Sequence, residues 1–249
     1  MIRINRAGIE PPAEWLGVVA AELPEIFAER AQVFEQLLVN DSVRRLGFSK
    51  HSPAALPVVR GKNEFPPLWK TQRYVKDRIG TMSGHRCAYC QSTVGASQPG
   101  HVDHFKPKSL FPTLAYDWLN YFLGCERCNT IKRNRWPSEG SYVRPDVGDP
   151  SVRFVFSEDG RISAASGDSE AQQTIDDLGL DREMLRRERK LAIASTLVAT
   201  KAILSRIRGR ENKRQVLRTL LKPPLSPYSA AINQCLRRLW TETFPGAGF

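Results

Sequence analysis

Two pairs of cysteines constrain the fold of this 249-residue chain more than any other feature. Cys87 and Cys90 form one CxxC pair, Cys125 and Cys128 form the other, and 34 residues separate the two pairs. Two thiolates on one tight turn point at the same ion, so two such turns complete a tetrahedral site that suits Zn²⁺. We therefore predict a structural zinc ion with four cysteine ligands. Four small buried residues at coincidental spacing are the alternative.

Apolar residues at helical spacing predict helices on both sides of the cysteine pairs. The predicted helices cover residues 11–40, 67–82, about 169–208 and 230–240. Residues 152–164 instead alternate apolar and polar side chains around a turn that ends in glycine, which predicts a β-hairpin. Helices and short strands therefore follow one another without an alternating βαβ pattern.

The apolar stripes of these helices also predict which side chains are buried. In the helix over residues 169–208, the predicted buried positions are Ile175, Leu178, Leu185, Leu191, Ile193, Leu197 and Ile203. The fifth cysteine, Cys235, stands alone in the last apolar helix, so we predict a core thiol and not a metal ligand there.

The charge of the chain favours a polyanionic partner. There are 37 Lys and Arg residues against 26 Asp and Glu residues, a formal net charge of +11, and nucleic acid is the simplest partner for such a protein. The cations concentrate at the end, because residues 201–249 hold ten basic and two acidic residues. This basic tail fits a solvated face, a grip on the DNA backbone or a protein interface.

No apolar run approaches the ~18 residues that a membrane-spanning helix needs. The first 15 residues lack the apolar core of a signal peptide. We therefore expect a cytoplasmic protein without a membrane partner.

The segment between the cysteine pairs, together with the residues directly after the second pair, contains side chains that could catalyse a reaction. Asp103 is a hard oxygen ligand of the kind that Mg²⁺ or Mn²⁺ prefers, and its neighbour His104 is a base that can be neutral at cellular pH. Asn129, directly after the last cysteine, offers a carboxamide oxygen as a second ligand. His101 is an alternative extra ligand. The cations predicted to contact phosphate oxygens are Lys106, Lys108, Lys132, Arg133 and Arg135, although Lys132 equally fits a solvated helix lysine.

This constellation resembles the HNH, or His-Me finger, nucleases with a ββα-metal core. The motifs "CAYC", "VDHFKPKS", "YDWLN" and "CERCNTIK" fill the positions of that family in order. The resemblance implies that Asp103 and Asn129 hold one divalent ion, Mg²⁺ or Mn²⁺, and that His104 is the general base. It also implies that Asn120 orients the His104 loop through backbone hydrogen bonds. Asn129 stands where the family often has histidine, which bears on the choice of metal.

A longer stretch, from about residue 80 to 200, is similar to one subfamily. Its motifs include "YDWLNYFLGCERCN", "FSEDGRI" and "TIDDLGLDREMLRRER". That subfamily comprises the HNH proteins encoded with an ABC-type ATPase in Septu antiphage systems and in some retrons. The resemblance implies nucleic acid, with DNA favoured, as the substrate, an ATPase subunit as the partner and antiphage defence as the role.

The resulting prediction is an α+β protein with a small zinc-stapled ββα-metal nuclease core. The core covers residues 81–137, between a helical extension over residues 1–80 and a hairpin with a helical region over residues 138–249. The predicted activity is metal-dependent endonuclease cleavage of phosphodiester bonds. The alternative is a non-catalytic zinc module that binds nucleic acid or a protein partner.

Overall fold

The structure is a computed structural model. It describes residues 4, 6, 10–11, 13–19, 68–71, 73–95, 98–111, 114–221 and 227–246. Within the described part, the chain divides into two units by its internal contacts. The first comprises Ile4–Cys87 and Val94–Tyr142, and the second comprises Met1–Arg3, Ala88–Thr93 and Val143–Phe249. The boundaries predicted at residues 80 and 137 stay predictions.

The first unit is called the β1–β2 unit after its two strands. Residues 13–19 are helical, and the elements that follow are α1 (Leu68–Thr71), α2 (Arg73–Ser83), β1 (Gly100–His104), a 3₁₀ turn (Trp118–Asn120), β2 (Tyr121–Cys125) and α3 (Glu126–Lys132). The order strand, strand, helix confirms the predicted ββα arrangement within an α+β protein. The helix predicted over residues 67–82 is confirmed, and residues 20–40 of the first predicted helix lie outside the described residues.

The hairpin of this unit brings the two ends of the cysteine segment together. Strands β1 and β2 pair antiparallel, with Gly100 opposite Cys125 and His104 opposite Tyr121. Every residue of β2 is buried, so this strand lies within the core of the unit. Helix α3 begins directly after β2, with Cys125 as its N-cap residue, and therefore returns along the hairpin.

The second unit is called the β3–β4 unit. Its elements are a 3₁₀ turn (Pro150–Arg153), β3 (Phe154–Phe156), β4 (Ile162–Ala164), α4 (Ser169–Leu178), α5 (Glu183–Arg206), α6 (Arg210–Leu220) and α7 (Ser229–Thr243). The antiparallel β3–β4 pair confirms the predicted hairpin, and α7 confirms the predicted last helix. Cys235 lies on α7 and is 1 % exposed, which confirms the core thiol.

The helix predicted from about residue 169 to 208 is present, but as two helices, α4 and α5. The chain breaks between α4 and α5 at Gly179, which adopts the left-handed conformation with φ 57° and ψ 43°. Its N–H binds the last carbonyl oxygens of α4, and the N–H of Leu180 binds the carbonyl oxygen of Ile175. Such a glycine cap ends a helix without steric cost, because glycine has no Cβ.

The buried side of α5 is only partly the predicted one. Its buried residues are Leu185, Arg189, Ile193, Thr200 and Leu204. Two predicted core residues, Leu191 and Ile203, are instead exposed, at 62 % and 45 %. Leu191 lies on the opposite side of the helix from the buried residues, whereas Ile203 lies at the edge of the buried side. Arg189 is buried where an apolar residue was expected, and it donates hydrogen bonds to the carbonyl oxygens of Leu180 and Leu185.

Helix α6 was not predicted, and its arginines are stacked on aromatic rings. The guanidinium carbons of Arg210 and Arg214 lie 5.8 and 5.5 Å from the ring centre of Phe244. The guanidinium of Arg218 lies 5.5 Å from the ring of Trp240. Part of the basic tail is therefore used to hold α6 against α7 and the residue that follows it. None of the helices in the described ranges is long and apolar enough to cross a bilayer.

Gly160, in the β3–β4 turn, provides a test of how closely this turn packs against α5. It has φ +85°, and an added Cβ would lie 2.0 Å from the carbonyl oxygen of Arg186 on α5. Gly167 has a similar φ of +77°, but an added Cβ there meets nothing within 4 Å. We expect Gly160→Ala to lower the free energy of unfolding by roughly 1–3 kcal/mol more than Gly167→Ala, because only the first also overpacks the turn against a helix. Urea denaturation followed by circular dichroism measures the difference. Equal losses in the two variants would contradict the close approach.

Candidate functional site

The four paired cysteines form one cluster. The sulfur atoms of Cys87, Cys90, Cys125 and Cys128 all lie within 4.8 Å of one another, and all four residues are buried and reduced. The backbone N–H of Cys128 donates to Cys125 Sγ at 3.4 Å, a contact typical of a turn whose thiolate is oriented for a metal. Among the described residues, this is the only such group of three or more His, Cys, Asp or Glu side chains. The cluster could hold a metal ion such as zinc.

A second site lies at the surface of the β1–β2 unit. An open cleft of about 490 Å³ is lined by Asp103 and His104 from β1 and by Asn129 from α3, together with two cations, Lys108 and Arg133, and four uncharged residues. Because α3 returns along the hairpin, the residue after the last cysteine reaches the end of β1. The cleft therefore brings together the predicted metal ligands and the predicted base.

Hydrogen bonding and ring packing fix the imidazole of His104. Its Nε2 atom lies 2.8 Å from the carbonyl oxygen of Ala115, which can only accept, so Nε2 carries the proton and Nδ1 holds the lone pair. The rings of Trp69 and Tyr121 contact the imidazole edge-on, with centroids 4.5 and 5.1 Å away. Both the orientation and the tautomer of His104 are therefore set by its surroundings.

The surroundings of His104 also favour its neutral form. Burial lowers the pKa of the imidazole to about 3, and the nearby charges of Lys108 and Lys132 act in the same direction. The hydrogen bond to Ala115 opposes this change. A neutral imidazole with an unshared electron pair on Nδ1 is the form that can accept a proton.

Asn120 ties together the two segments that flank the base. Its Oδ1 atom accepts from the backbone N–H of Lys106 at 2.8 Å, and its Nδ2 donates to the carbonyl oxygens of Lys106 and Leu114 at 3.0 Å. Asn120 is 2 % exposed. The side chain thus connects the residues after β1 with the stretch that contains Ala115, the partner of His104.

Lys132 requires a correction. It is predicted among the phosphate-contacting cations, but it is fully buried. Its ammonium lies 3.1 Å from Asp103 Oδ2 and 2.6 Å from the carbonyl oxygen of His104. The ammonium therefore faces the protein and not the cleft, and it is not available to nucleic acid in this arrangement. Neither a solvated helix lysine nor a phosphate contact describes it.

The other four predicted cations lie nearer to solvent. Lys108 and Arg133 line the cleft, and the ammonium of Lys108 lies 5.7 Å from the ring centre of Trp69. Lys106 is half-buried, with its ammonium 5.1 Å from the ring of Phe111, while Arg135 is exposed. His101 is half-buried, and it neither lines the cleft nor joins a group of metal-ligating side chains in the described ranges.

Several contributors to the site carry no sequence motif. Ala115 acts through its backbone carbonyl oxygen, which any residue could supply. Trp69 comes from α1, outside the cysteine segment. Arg6 donates to the carbonyl oxygens of Trp118 and Tyr121 and lies over the ring of Phe122, so it supports the turn that holds Asn120. A sequence pattern could reveal none of these three partners, because each depends on the folded path of the chain.

Comparison with known proteins gives a match at this segment. Residues 87–135 match the family model described as HNH endonuclease, and this range includes the four cysteines and every residue named above as lining the cleft. The prediction that the chain resembles this family is therefore confirmed.

Three relatives extend the similarity beyond the domain. The Septu protein PtuB of Bacillus mycoides (strain KBAB4) is 25 % identical over 174 residues, which is 58 % of this chain and 59 % of that protein. The Septu protein PtuB of Bacillus thuringiensis is 33 % identical over 79 residues, 31 % of each chain. A protein of retron Vc95 from Vibrio cholerae serotype O1 biovar El Tor, named as an HNH endonuclease, is 27 % identical over 146 residues, 53 % of this chain and 69 % of that protein.

The alignments thus span about three fifths and one third of the two PtuB proteins. Within a chain that is similar to Septu and retron proteins, residues 87–135 are thus the segment that matches the HNH endonuclease family model, and this segment is called the HNH domain below.

Proposed function

We propose that this chain is a metal-dependent endonuclease that hydrolyses phosphodiester bonds, with DNA as the substrate. One observation carries the proposal. Asp103, His104 and Asn129 line a single cleft, beside two cations and inside the segment that matches the HNH family model. The chemistry needs a proton acceptor for water, a ligand set for a divalent ion and positive charge for the phosphate.

The residues of the cleft fit a hard divalent ion. Asp103 offers a carboxylate and Asn129 a carboxamide, and Mg²⁺ is commonly bound by one or two such groups together with waters and substrate phosphates. When bound, Mg²⁺ or Mn²⁺ supplies the charge that stabilises the scissile phosphate and the leaving oxygen. Asp103 and Asn129 are the residues proposed to hold it.

His104 is proposed to be the general base. Its lone pair is on Nδ1, because Nε2 donates to Ala115, and the neutral ring is ready to accept a proton from the attacking water. Asn120 is proposed as a positioning residue, since its hydrogen bonds join the backbone on both sides of the His104 contact. Lys108 and Arg133 are proposed to contact the phosphates that flank the scissile bond, and Lys106 and Arg135 to contact phosphates farther along the strand.

Zinc is the ion proposed for the cysteine cluster. Four thiolates complete a tetrahedral site and leave no position for water, which is the arrangement of a structural zinc and not of a catalytic one. The two ions then have separate tasks. Zinc holds the domain together, and the ion of the cleft takes part in the reaction.

The alternative is a zinc module that binds nucleic acid without cutting it. The closed cysteine cluster and the net charge of +11 are compatible with that function. A pure binding module, however, does not need a buried neutral histidine of fixed tautomer at a cleft with an acid and an amide. A cleavage assay separates the two functions.

We expect His104→Ala to reduce the rate of DNA cleavage by roughly 10²–10⁴-fold, because the water then lacks its proton acceptor. The measurement is nicking or linearisation of a plasmid with Mg²⁺ or Mn²⁺. His101→Ala is the matched control, since it removes a histidine from the same strand that does not line the cleft, and it should retain activity within a few-fold. Equal rates for His104→Ala and the unsubstituted chain would refute the base. A chain that cuts nothing under any condition would favour the binding module.

We expect Cys128→Ser to abolish zinc binding and to unfold the HNH domain, because structural zinc contributes about 10 kcal/mol or more of binding free energy to a folded site. Metal content by atomic absorption and the circular dichroism spectrum measure the two effects. Cys235→Ala is the control, as this buried cysteine lies outside the cluster and its loss should leave about one zinc per chain. A folded Cys128→Ser variant with undiminished zinc would contradict the assignment.

We also propose that the chain is the effector of an antiphage complex with an ABC-type ATPase. The similarity to Septu and retron proteins supports this role. Helix α5 supports a protein partner, because Met184, Leu191 and Val198 are 61–69 % exposed at seven-residue spacing and form one apolar stripe.

We expect the chain to co-purify with an ABC-type ATPase, the proposed partner, when the two are expressed together, and Leu191→Asp with Val198→Asp to reduce that recovery at least tenfold by placing charge in the apolar contact. A pull-down with both proteins expressed together measures the recovery. Gln215→Glu, which adds charge on the exposed side of α6, is the control. Undiminished recovery with the double variant would exclude this stripe as the docking surface.

A further inference from the structure

Lys132 and Asp103 form a buried ion pair beside the cleft. Lys132 is the last residue of α3 and has no exposed surface. Its ammonium lies 3.1 Å from Asp103 Oδ2, 3.3 Å from Asp103 Oδ1 and 2.6 Å from the carbonyl oxygen of His104. An ammonium carries three N–H donors and is stable in a protein interior only when such acceptors receive them. The negative charge of Asp103 is therefore already matched by a cation of the protein itself.

The cleft as a whole has an excess of positive charge. Asp103 is the only acid among the described residues that line it, and Lys108 and Arg133 add two cations to that lining. Counted over the described residues that line the cleft, together with buried Lys132, three cations face one carboxylate before any metal ion enters. The remaining metal ligand, Asn129, is neutral. A divalent cation that enters this cleft alone is repelled by neighbouring cations and is attracted by one carboxylate that is already paired.

We propose that Lys132 makes divalent-ion binding in the cleft depend on nucleic acid. The inference rests on the proposed endonuclease function and adds a mode of regulation to it. A phosphodiester group brings both the negative charge and the oxygen ligands that the residues of the cleft lack, and Mg²⁺ sites are commonly completed by substrate phosphates. The ion and the nucleic acid therefore bind as a pair. Each must raise the affinity for the other by the same factor.

The ammonium of Lys132 also stabilises the fold of the site. Its bond to the carbonyl oxygen of His104 ties the end of α3 to the end of β1, so the pair holds the site in shape when no metal is present. Without the lysine, the buried carboxylate of Asp103 would need the metal ion as its counter-charge. Lys132 therefore allows the site to fold without a metal ion, which can bind afterwards.

Calorimetric titration with Mn²⁺ tests the coupling. The full chain is used with its zinc bound and with His104→Ala to prevent cleavage, in the presence and absence of a DNA duplex. The heat that disappears in a further Asp103→Asn variant is assigned to the cleft. We expect the duplex to tighten Mn²⁺ binding at this site by roughly 5–150-fold. Equal Mn²⁺ affinity with and without the duplex would overturn the proposal.

The role of Lys132 is tested by Lys132→Met in the same background. Methionine keeps an unbranched side chain and removes the charge, so Asp103 is left for the metal ion. We expect Mn²⁺ to bind roughly tenfold or more tightly without DNA, and the duplex to add less. Lys76→Met, which removes a charge from the exposed side of α2, should leave Mn²⁺ affinity unchanged. A folded Lys132→Met variant with unchanged or weaker Mn²⁺ affinity would exclude this role.

A second measurement decides the matter if Lys132→Met does not fold. Duplex affinity of the His104→Ala chain, measured by fluorescence anisotropy, must rise with Mn²⁺ by the factor found in the Mn²⁺ titration, and no rise would overturn the proposal. Cleavage is assayed separately with His104 present. A chain that shows coupling but leaves DNA uncut contradicts the endonuclease function alone, whereas a chain that cuts DNA without coupling contradicts only the role of Lys132.

Discussion

The convergence of four thiols at one point determines the rest of the HNH domain. Cys125 shows this most directly, because it is the last residue of β2, the N-cap of α3 and one of the four sulfur donors. Once its position is set, the hairpin register places His104 opposite Tyr121, four residues away. The helix that starts there carries Asn129 to the cleft on its second turn. The cysteine cluster therefore orients the reactive residues without touching them.

The two proposed ion sites differ in the chemistry of their ligands. The cluster presents four polarisable sulfurs in a buried group, a ligand set that suits the proposed zinc and leaves no place for a substrate. The cleft presents oxygen ligands at an open surface, which suits a hard ion that keeps waters and phosphates in its shell. Because the two ligand sets differ in hardness, neither ion is expected to replace the other. Under the proposed assignments, the domain is expected to remain folded when the ion of the cleft is removed.

The sequence predicted the parts of the site that depend on local spacing. Each cysteine pair, the neighbours Asp103 and His104, and Asn129 directly after the last cysteine are short local patterns, so each could be recognised from spacing along the chain, and the match of their order to a known family predicted that they meet. What could not be predicted depends on tertiary packing. Lys132 looks like a solvated lysine in any helical pattern, and only the fold reveals that Asp103 lies against it. The break at Gly179 was missed because apolar residues continue at helical spacing on both sides of it.

Charge and burial act together on His104. Two cations near the cleft, the lining residue Lys108 and the buried Lys132, lower the pKa of the imidazole, and Lys108 is also one of the cations proposed to contact phosphates. The protonated imidazole is disfavoured in so apolar a setting, because its charge would lose contact with water. The ring therefore stays neutral, and only the neutral ring can act as a base. The enclosure by Trp69 and Tyr121 strengthens the effect, since it removes water from the ring. Under the proposed function, the positive charge of Lys108 thus has two effects, since it contacts the phosphate and favours the neutral imidazole that the reaction requires.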